Sequence, residues 1–123
     1  MKAMLLESLG EVGPHQTPLR LTKHPEPTLA PGEVLVKVSR CGVCHTELDE
    51  IEGRTPPPRL PVILGHQVVG TVIGVQRLET LDTGQRVGIA WIASACGECE
   101  FCKSGQENLC SQFKATGRDI DGG

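Results

Sequence analysis

The sequence predicts a mainly β fold with short helices, and three of its features do so. The interior has to be built from Val, Leu and Ile, 30 of the 123 residues, because the chain carries one Trp, two Phe and no Tyr. Branched side chains suit a pleated, half-buried surface. Residues 33–39 alternate, with Val34, Val36 and Val38 on one face, which is the period-two pattern of a strand. The 15 Gly and 9 Pro punctuate the chain with turns, and nowhere do strand and helix patterns alternate as in a βαβ unit.

Taken in order, Lys2–Leu6 reads as a short strand. Gly13-Pro14, Pro18, Pro25 and Pro27 then mark a turn-rich stretch with no sustained period. Ala30-Pro31-Gly32-Glu33 is a turn, with Pro at the corner and Gly after it, and it feeds the alternating strand. His45–Ile51 is polar and acidic with no Gly or Pro; it suits a two-turn helix that Gly53 would end. Pro56–Pro58 form a rigid loop before Leu60. Val68–Val75 reads as a strand in which Gly70 and Gly74 signal a bulge or a close backbone approach. Asp82-Thr83-Gly84-Gln85 is a further turn, and Arg86–Ile92 a further strand. From Ala95 onward Cys and charged residues dominate, and little could hold that segment folded by burial alone.

Composition narrows the function. Counting Gly with the 38% apolar residues, about half of the chain is apolar, ordinary for a globular domain. Leu, Ile, Val and Phe supply 32 residues, which argues against disorder, and the length suits a single domain over 1–123. The formal charge is -3 and the pI about 5.8, without basic clusters, so nucleic acid is not the expected partner. No apolar run approaches the roughly 18–20 residues that span a bilayer. Ala3–Leu6 is too short for a signal sequence, and Glu7 interrupts it. A cytoplasmic, reducing location is therefore expected, without a membrane, and there six cysteines point to metal before disulfides. No G-x-G-x-x-G fingerprint is present, so no dinucleotide-binding unit is expected.

Cys96, Cys99, Cys102 and Cys110 are spaced C-x2-C-x2-C-x7-C. Four thiolates so close in sequence can close a tetrahedron around one Zn²⁺ and leave no position for substrate, so the ion would be structural. Binding of about 10–16 kcal/mol, as in small zinc domains, is enough to order a coreless lobe at about 95–111. Iron–sulfur ligation is the rival, because C-x2-C-x2-C also opens the ferredoxin pattern; here the fourth Cys follows after seven residues and no Pro succeeds it. A second constellation is Cys41-Gly42-Val43-Cys44-His45-Thr46, after the clear strand, with His66 following Leu64-Gly65. From spacing alone Cys41/Cys44 can be a redox pair, half of a zinc site or two buried thiols, and His66 a hydrogen-bonded core histidine.

Cys41-Gly-Val-Cys44-His45-Thr46-Glu47-Leu48, then Gly65-His66-Gln67-Val68-Val69-Gly70, then the four-cysteine lobe, resemble the zinc-dependent medium-chain alcohol dehydrogenases. Pro31-Gly32-Glu33-Val34 and Gly84-Gln85-Arg86-Val87-Gly88 look like that family's turns. The resemblance implies a GroES-like, partly open β-barrel catalytic domain that is incomplete here. It implies oxidation of small alcohols to aldehydes or ketones with NAD or NADP, and allows a homo-oligomer. Cys44 and His66 would ligate a catalytic zinc, and Cys41 would be a packed thiol beside them. Thr46 would carry the alcohol proton outward, and His45 would face the coenzyme pyrophosphate. Glu47, where Asp is usual, would orient the His66 imidazole. Asp49 stands where many members have a relay histidine. Gln67 stands where Glu is usual near the zinc; an amide is neutral and a poorer ligand. Family chains are far longer, with a Rossmann coenzyme domain and a third zinc ligand further on, so the isolated chain is expected to be inactive. A non-enzymatic zinc-binding domain is the alternative from another class, and a co-chaperonin-like ring has no use for the cysteine lobe.

Overall fold

The structure, a computed structural model, describes residues 1–77 and 79–123. Its described elements are β1 (Lys2–Leu6), β2 (Leu19–Lys23), β3 (Val34–Gly42), α1 (His45–Ile51), β4 (Val62–Ile63), β5 (Gln67–Val75), β6 (Arg86–Ile89), β7 (Ile92–Ser94), α2 (Glu100–Lys103), a 3-10 turn at Glu107–Leu109, and β8 (Lys114–Ala115). The strands form three small antiparallel sheets ordered β2-β1-β4, β3-β5-β6 and β7-β8. The expected mainly β architecture holds, with only short helices. Among the described residues no helix is long and apolar enough to cross a membrane.

The first sheet holds the core. β1 buries Ala3, Leu5 and Leu6; Ala3 and Leu5 cluster with Ile63, and Leu6 with Ile51 and Val62. Leu6 and Val62 are fully buried. Ile51 comes from the last turn of α1, so the core grips the end of that helix. β2 and β4 lie where no regular element was expected. Their own patterns are weak: Leu21 of β2 is 62% exposed, and β4 is two residues long. Both exist because β1 offers two edges of unpaired backbone, taken up from Lys2↔Lys23 to Leu6↔Leu19 on one side and at Leu5↔Ile63 and Leu6↔Val62 on the other.

The second sheet is built on the long β3–β5 pair. The expected turn before β3 forms, with Glu33 N–H donating to Ala30 O at 3.1 Å. Pairing runs from Val34↔Val75 to Gly42↔Gln67, with irregularities between Leu35 and Val36 and between Val38 and Arg40. Gly70 is a close approach, as expected: a Cβ there would lie 2.5 Å from Val36 Cγ1 and 2.6 Å from the Lys37 carbonyl oxygen. The expected apolar face of β3 is half-buried at Val34 and Val36 but open at Val38, 43% exposed. Val38 sits opposite Gly70, which has no side chain to cover it.

The strand expected over Arg86–Ile92 breaks in two at Ala90-Trp91. Thr116 causes the break by capturing the backbone there: its hydroxyl donates to Ala90 O at 2.9 Å and its N–H to Trp91 O at 2.8 Å. The chain thus leaves β5 and pairs β7 with β8 instead. Between β7 and β8 lies the cysteine lobe, where α2 and the 3-10 turn bury no residue and Cys110 is the buried one.

Candidate metal centres

The four cysteines of the lobe offer Sγ atoms that all lie within 4.8 Å of one another. Cys96 Sγ and Cys102 Sγ are 3.8 Å apart. A tetrahedron of thiolates about 2.3 Å from one Zn²⁺ has edges of about 3.8 Å. Thiolates that each held a different iron of a cluster would stand further apart, so the spacing favours a single ion over the iron–sulfur alternative. Backbone N–H groups turn inward: Glu98 and Cys99 donate to Cys96 Sγ, each at 3.4 Å, and Gln112 to Cys110 Sγ at 3.4 Å. The Glu98 and Cys99 amides hold the Cys96 thiol below its ordinary range, while desolvation pushes that of Cys102 up. An anion-stabilising cage without an apolar core is what a structural cation requires.

The second centre is assembled by strand register. The Gly42↔Gln67 pairing puts the end of β3 beside the start of β5. Cys44 lies two residues beyond the one and His66 one residue before the other, so both reach the same end of the pair. Cys44 is the N-cap of α1 in extended conformation, and its N–H donates to Glu47 Oε2 at 2.7 Å, the reciprocal contact of a capping box. Cys44 Sγ is 3.6 Å from His66 Nε2. One edge of a tetrahedral zinc with Zn–S about 2.3 Å and Zn–N about 2.0–2.1 Å is about 3.6 Å long, so the pair fits two corners of such a site. Behind the ring, Glu47 Oε1 is 2.9 Å from His66 Nδ1; both atoms are buried and, among the described residues, neither has another partner. A carboxylate there favours the proton on Nδ1 and leaves the Nε2 lone pair facing Cys44.

Other singled-out residues surround this pair. Thr46 is half-buried in the first turn of α1, and His45 is exposed, its Nε2 3.7 Å from Asp49 Oδ1. Asp49 is held by Arg54, which also grips Glu52. Gln67 is exposed with its side chain over Gly42, outside the Cys44–Glu47–His66 group. Cys41 packs its sulfur on Gly65, and burial pushes its thiol up; it belongs to neither cysteine group. Sequence reasoning missed two neighbours. Trp91 meets the His66 ring edge-on, centroids 4.7 Å apart, with the Arg118 guanidinium 5.5 Å from the Trp91 centroid. Its signal was that the chain has no other Trp. Glu50 is fully buried with neither carboxylate oxygen partnered among the described residues, and burial, then the Glu47 charge, raises its carboxyl to about 7. Its spacing of three from Glu47 on one helix face was the available clue.

A family model described as the alcohol dehydrogenase GroES-like domain matches residues 30–123. An alcohol dehydrogenase of Geobacillus stearothermophilus is 48% identical over 107 residues, covering 85% of this chain and 32% of that protein. The solved structure of AibC superposes with a TM-score of 0.89 at 36% identity, covering 100% of this chain and 34% of AibC. A zinc-binding dehydrogenase from Sinorhizobium meliloti 1021, solved bound to NADP, gives 0.85 at 32% identity, covering 99% and 33%. The chain spans about a third of the length of the proteins it matches.

Proposed function

Given that the chain belongs to the alcohol dehydrogenase GroES-like domain family, we propose that residues 1–123 are a GroES-like portion of the catalytic domain of a zinc-dependent dehydrogenase that oxidises small alcohols with NAD or NADP. The carrying observation is the 3.6 Å approach of Cys44 Sγ to His66 Nε2, backed by Glu47. Cys44 and His66 would hold the catalytic zinc, and Cys96, Cys99, Cys102 and Cys110 the structural one. Bound at the first site, zinc supplies Lewis acidity that makes an alcohol proton easier to lose. Glu47 keeps the His66 tautomer and ring direction fixed, so that Nε2 remains a donor atom. Thr46, in the first turn of α1, offers a hydroxyl to take up and pass on a proton. Asp49, one turn along and tied to Arg54, is the polar group next in line. Exposed His45 would meet the coenzyme pyrophosphate. Gln67 brings no negative charge, so the site keeps more of the cation's positive charge than a Glu would leave. On this reading the chain by itself fills its four-cysteine lobe and does not turn over alcohol.

A chimera tests the proposal: residues 1–123 replace the matching segment of the Geobacillus alcohol dehydrogenase. Alcohol-dependent coenzyme reduction is expected from the chimera and is expected to vanish in Cys44→Ser and in His66→Ala. A folded chimera that holds both zinc ions yet reduces no coenzyme would overturn the reading.

A further inference from the structure

We propose that the turn over residues 117–122 is a clamp that positions His66, and that Asp121 is its positioning residue; this rests on the reading of Cys44 and His66 as metal donors. His66 has no regular element before it, because β4 ends at Ile63 and Leu64-Gly65 is a linker. Two bonds fix the start of that linker. Ile63 N–H donates to Asp121 Oδ1 at 3.0 Å, and Gly122 N–H donates to Ile63 O at 2.7 Å. Ile63 is itself buried against Ala3 and Leu5, so the clamp ties the linker to the core. Arg59 Nη2, 3.3 Å from Asp121 Oδ1, balances the carboxylate charge.

Close packing fixes the rest of the linker. Gly65 has φ of 107°, and a Cβ on it would stand 2.6 Å from Cys41 Sγ and 3.0 Å from Gly123 O. A Cβ on Gly117 would stand 2.6 Å from Gly65 N, and one on Gly122 would run into the Gly65 carbonyl oxygen. Segments packed so closely that no Cβ fits between them hold the Gly65–His66 peptide in place. The clamp is rigid in its own right: Gly117 N–H donates to Ile120 O at 2.9 Å, and Ala115 N–H to Asp119 Oδ2 at 2.7 Å. Thr116, at its root, holds the Ala90-Trp91 backbone, so one turn fixes both partners of the 4.7 Å His66–Trp91 contact.

The test uses the 123-residue chain with zinc already in the four-cysteine lobe. Co²⁺ is then titrated and thiolate-to-cobalt absorption recorded. Asp121→Ala should weaken this binding about 10-fold or more, the range for residues that orient a ligand. Asp121→Asn, which keeps an oxygen for the Ile63 N–H, should restore it. One retained zinc and an unchanged far-UV spectrum certify that each variant is folded. Wild-type affinity in Asp121→Ala would overturn the clamp. Undiminished binding in Cys44→Ser, or none in the wild type, would overturn the metal reading instead. A readout independent of that metal is the emission spectrum of Trp91, which rests on the His66 ring, recorded at one pH before cobalt is added. The clamp predicts the wild-type spectrum in Asp121→Asn and a shifted one in Asp121→Ala, and an unchanged spectrum in both would also overturn it.

Discussion

Glu47 serves two masters: one oxygen accepts the Cys44 N–H and the other faces His66 Nδ1. Glu47→Gln keeps an oxygen for the first task and loses the charge needed for the second, whereas Glu47→Ala loses both. Both should weaken metal binding at Cys44/His66 by about 10- to 100-fold. Only Glu47→Ala should also lower the unfolding free energy measured in urea markedly, by about 1.5–3 kcal/mol for a lost charged hydrogen bond. Equal stability of the two variants would show that the cap contributes nothing. Glu50 gives a pH prediction. Its carboxyl is raised from 4.5 to about 7 in the folded chain, so between those values the folded state holds more proton than the unfolded state. Stability from this group is therefore greatest at or below the unfolded value, falls as pH rises through that window, and levels off above it. Glu7 and Glu52 are held down by Arg20 and Arg54, so they act below the ordinary carboxylate range and in the opposite sense. Urea denaturation at pH 5 and pH 8 should find the wild type losing stability relative to Glu50→Gln at the higher pH; the comparison is needed because the Cys96 thiol, held below its ordinary range, acts in the opposite sense in both proteins. An identical slope in the variant would acquit Glu50. At this scale the sequence was most legible where chemistry is local. Four cysteines within fifteen residues state their own geometry, whereas a buried Glu50 and a Trp91 edge on His66 depend on packing between segments far apart in the chain.

Among the elements, β3 and β5 do most for the candidate site, because their register brings the Cys44 end of one strand to the His66 end of the other. Gly70→Ala tests that dependence. The added carbon would press on Val36 and the Lys37 backbone, and overpacking of this kind costs about 1–3 kcal/mol. The variant should be less stable in urea and should bind the second metal equivalent more weakly. Unchanged stability would mean that the strands part at little cost. The elements also mark where the sequence could be read and where it could not. β3 and β5 carry their own alternation or branched runs. β2 offers only the brief alternation Leu19-Arg20-Leu21-Thr22 and β4 only the pair Val62-Ile63; both exist through the edges of β1, and neither pattern was long enough to announce a strand. The division of β6 from β7 was hidden for a similar reason, since the break is imposed by Thr116, about 25 residues away in sequence.

Across the whole molecule, on the proposed reading, burial and metal divide the task of holding the chain. The β1 sheet and the last turn of α1 enclose small apolar clusters, while the lobe between β7 and β8 has thiols in place of a core. Removing metal should therefore melt one region selectively: chelation is expected to open residues 95–111 to protease while β1, β2 and β4 stay protected. Counting zinc by native mass spectrometry in the wild type and three variants tests the two-centre account most directly. With zinc supplied in excess, it predicts two ions in the wild type and in Cys41→Ser, and one in Cys99→Ser and in Cys44→Ser. One ion in Cys41→Ser together with two in Cys44→Ser would contradict it.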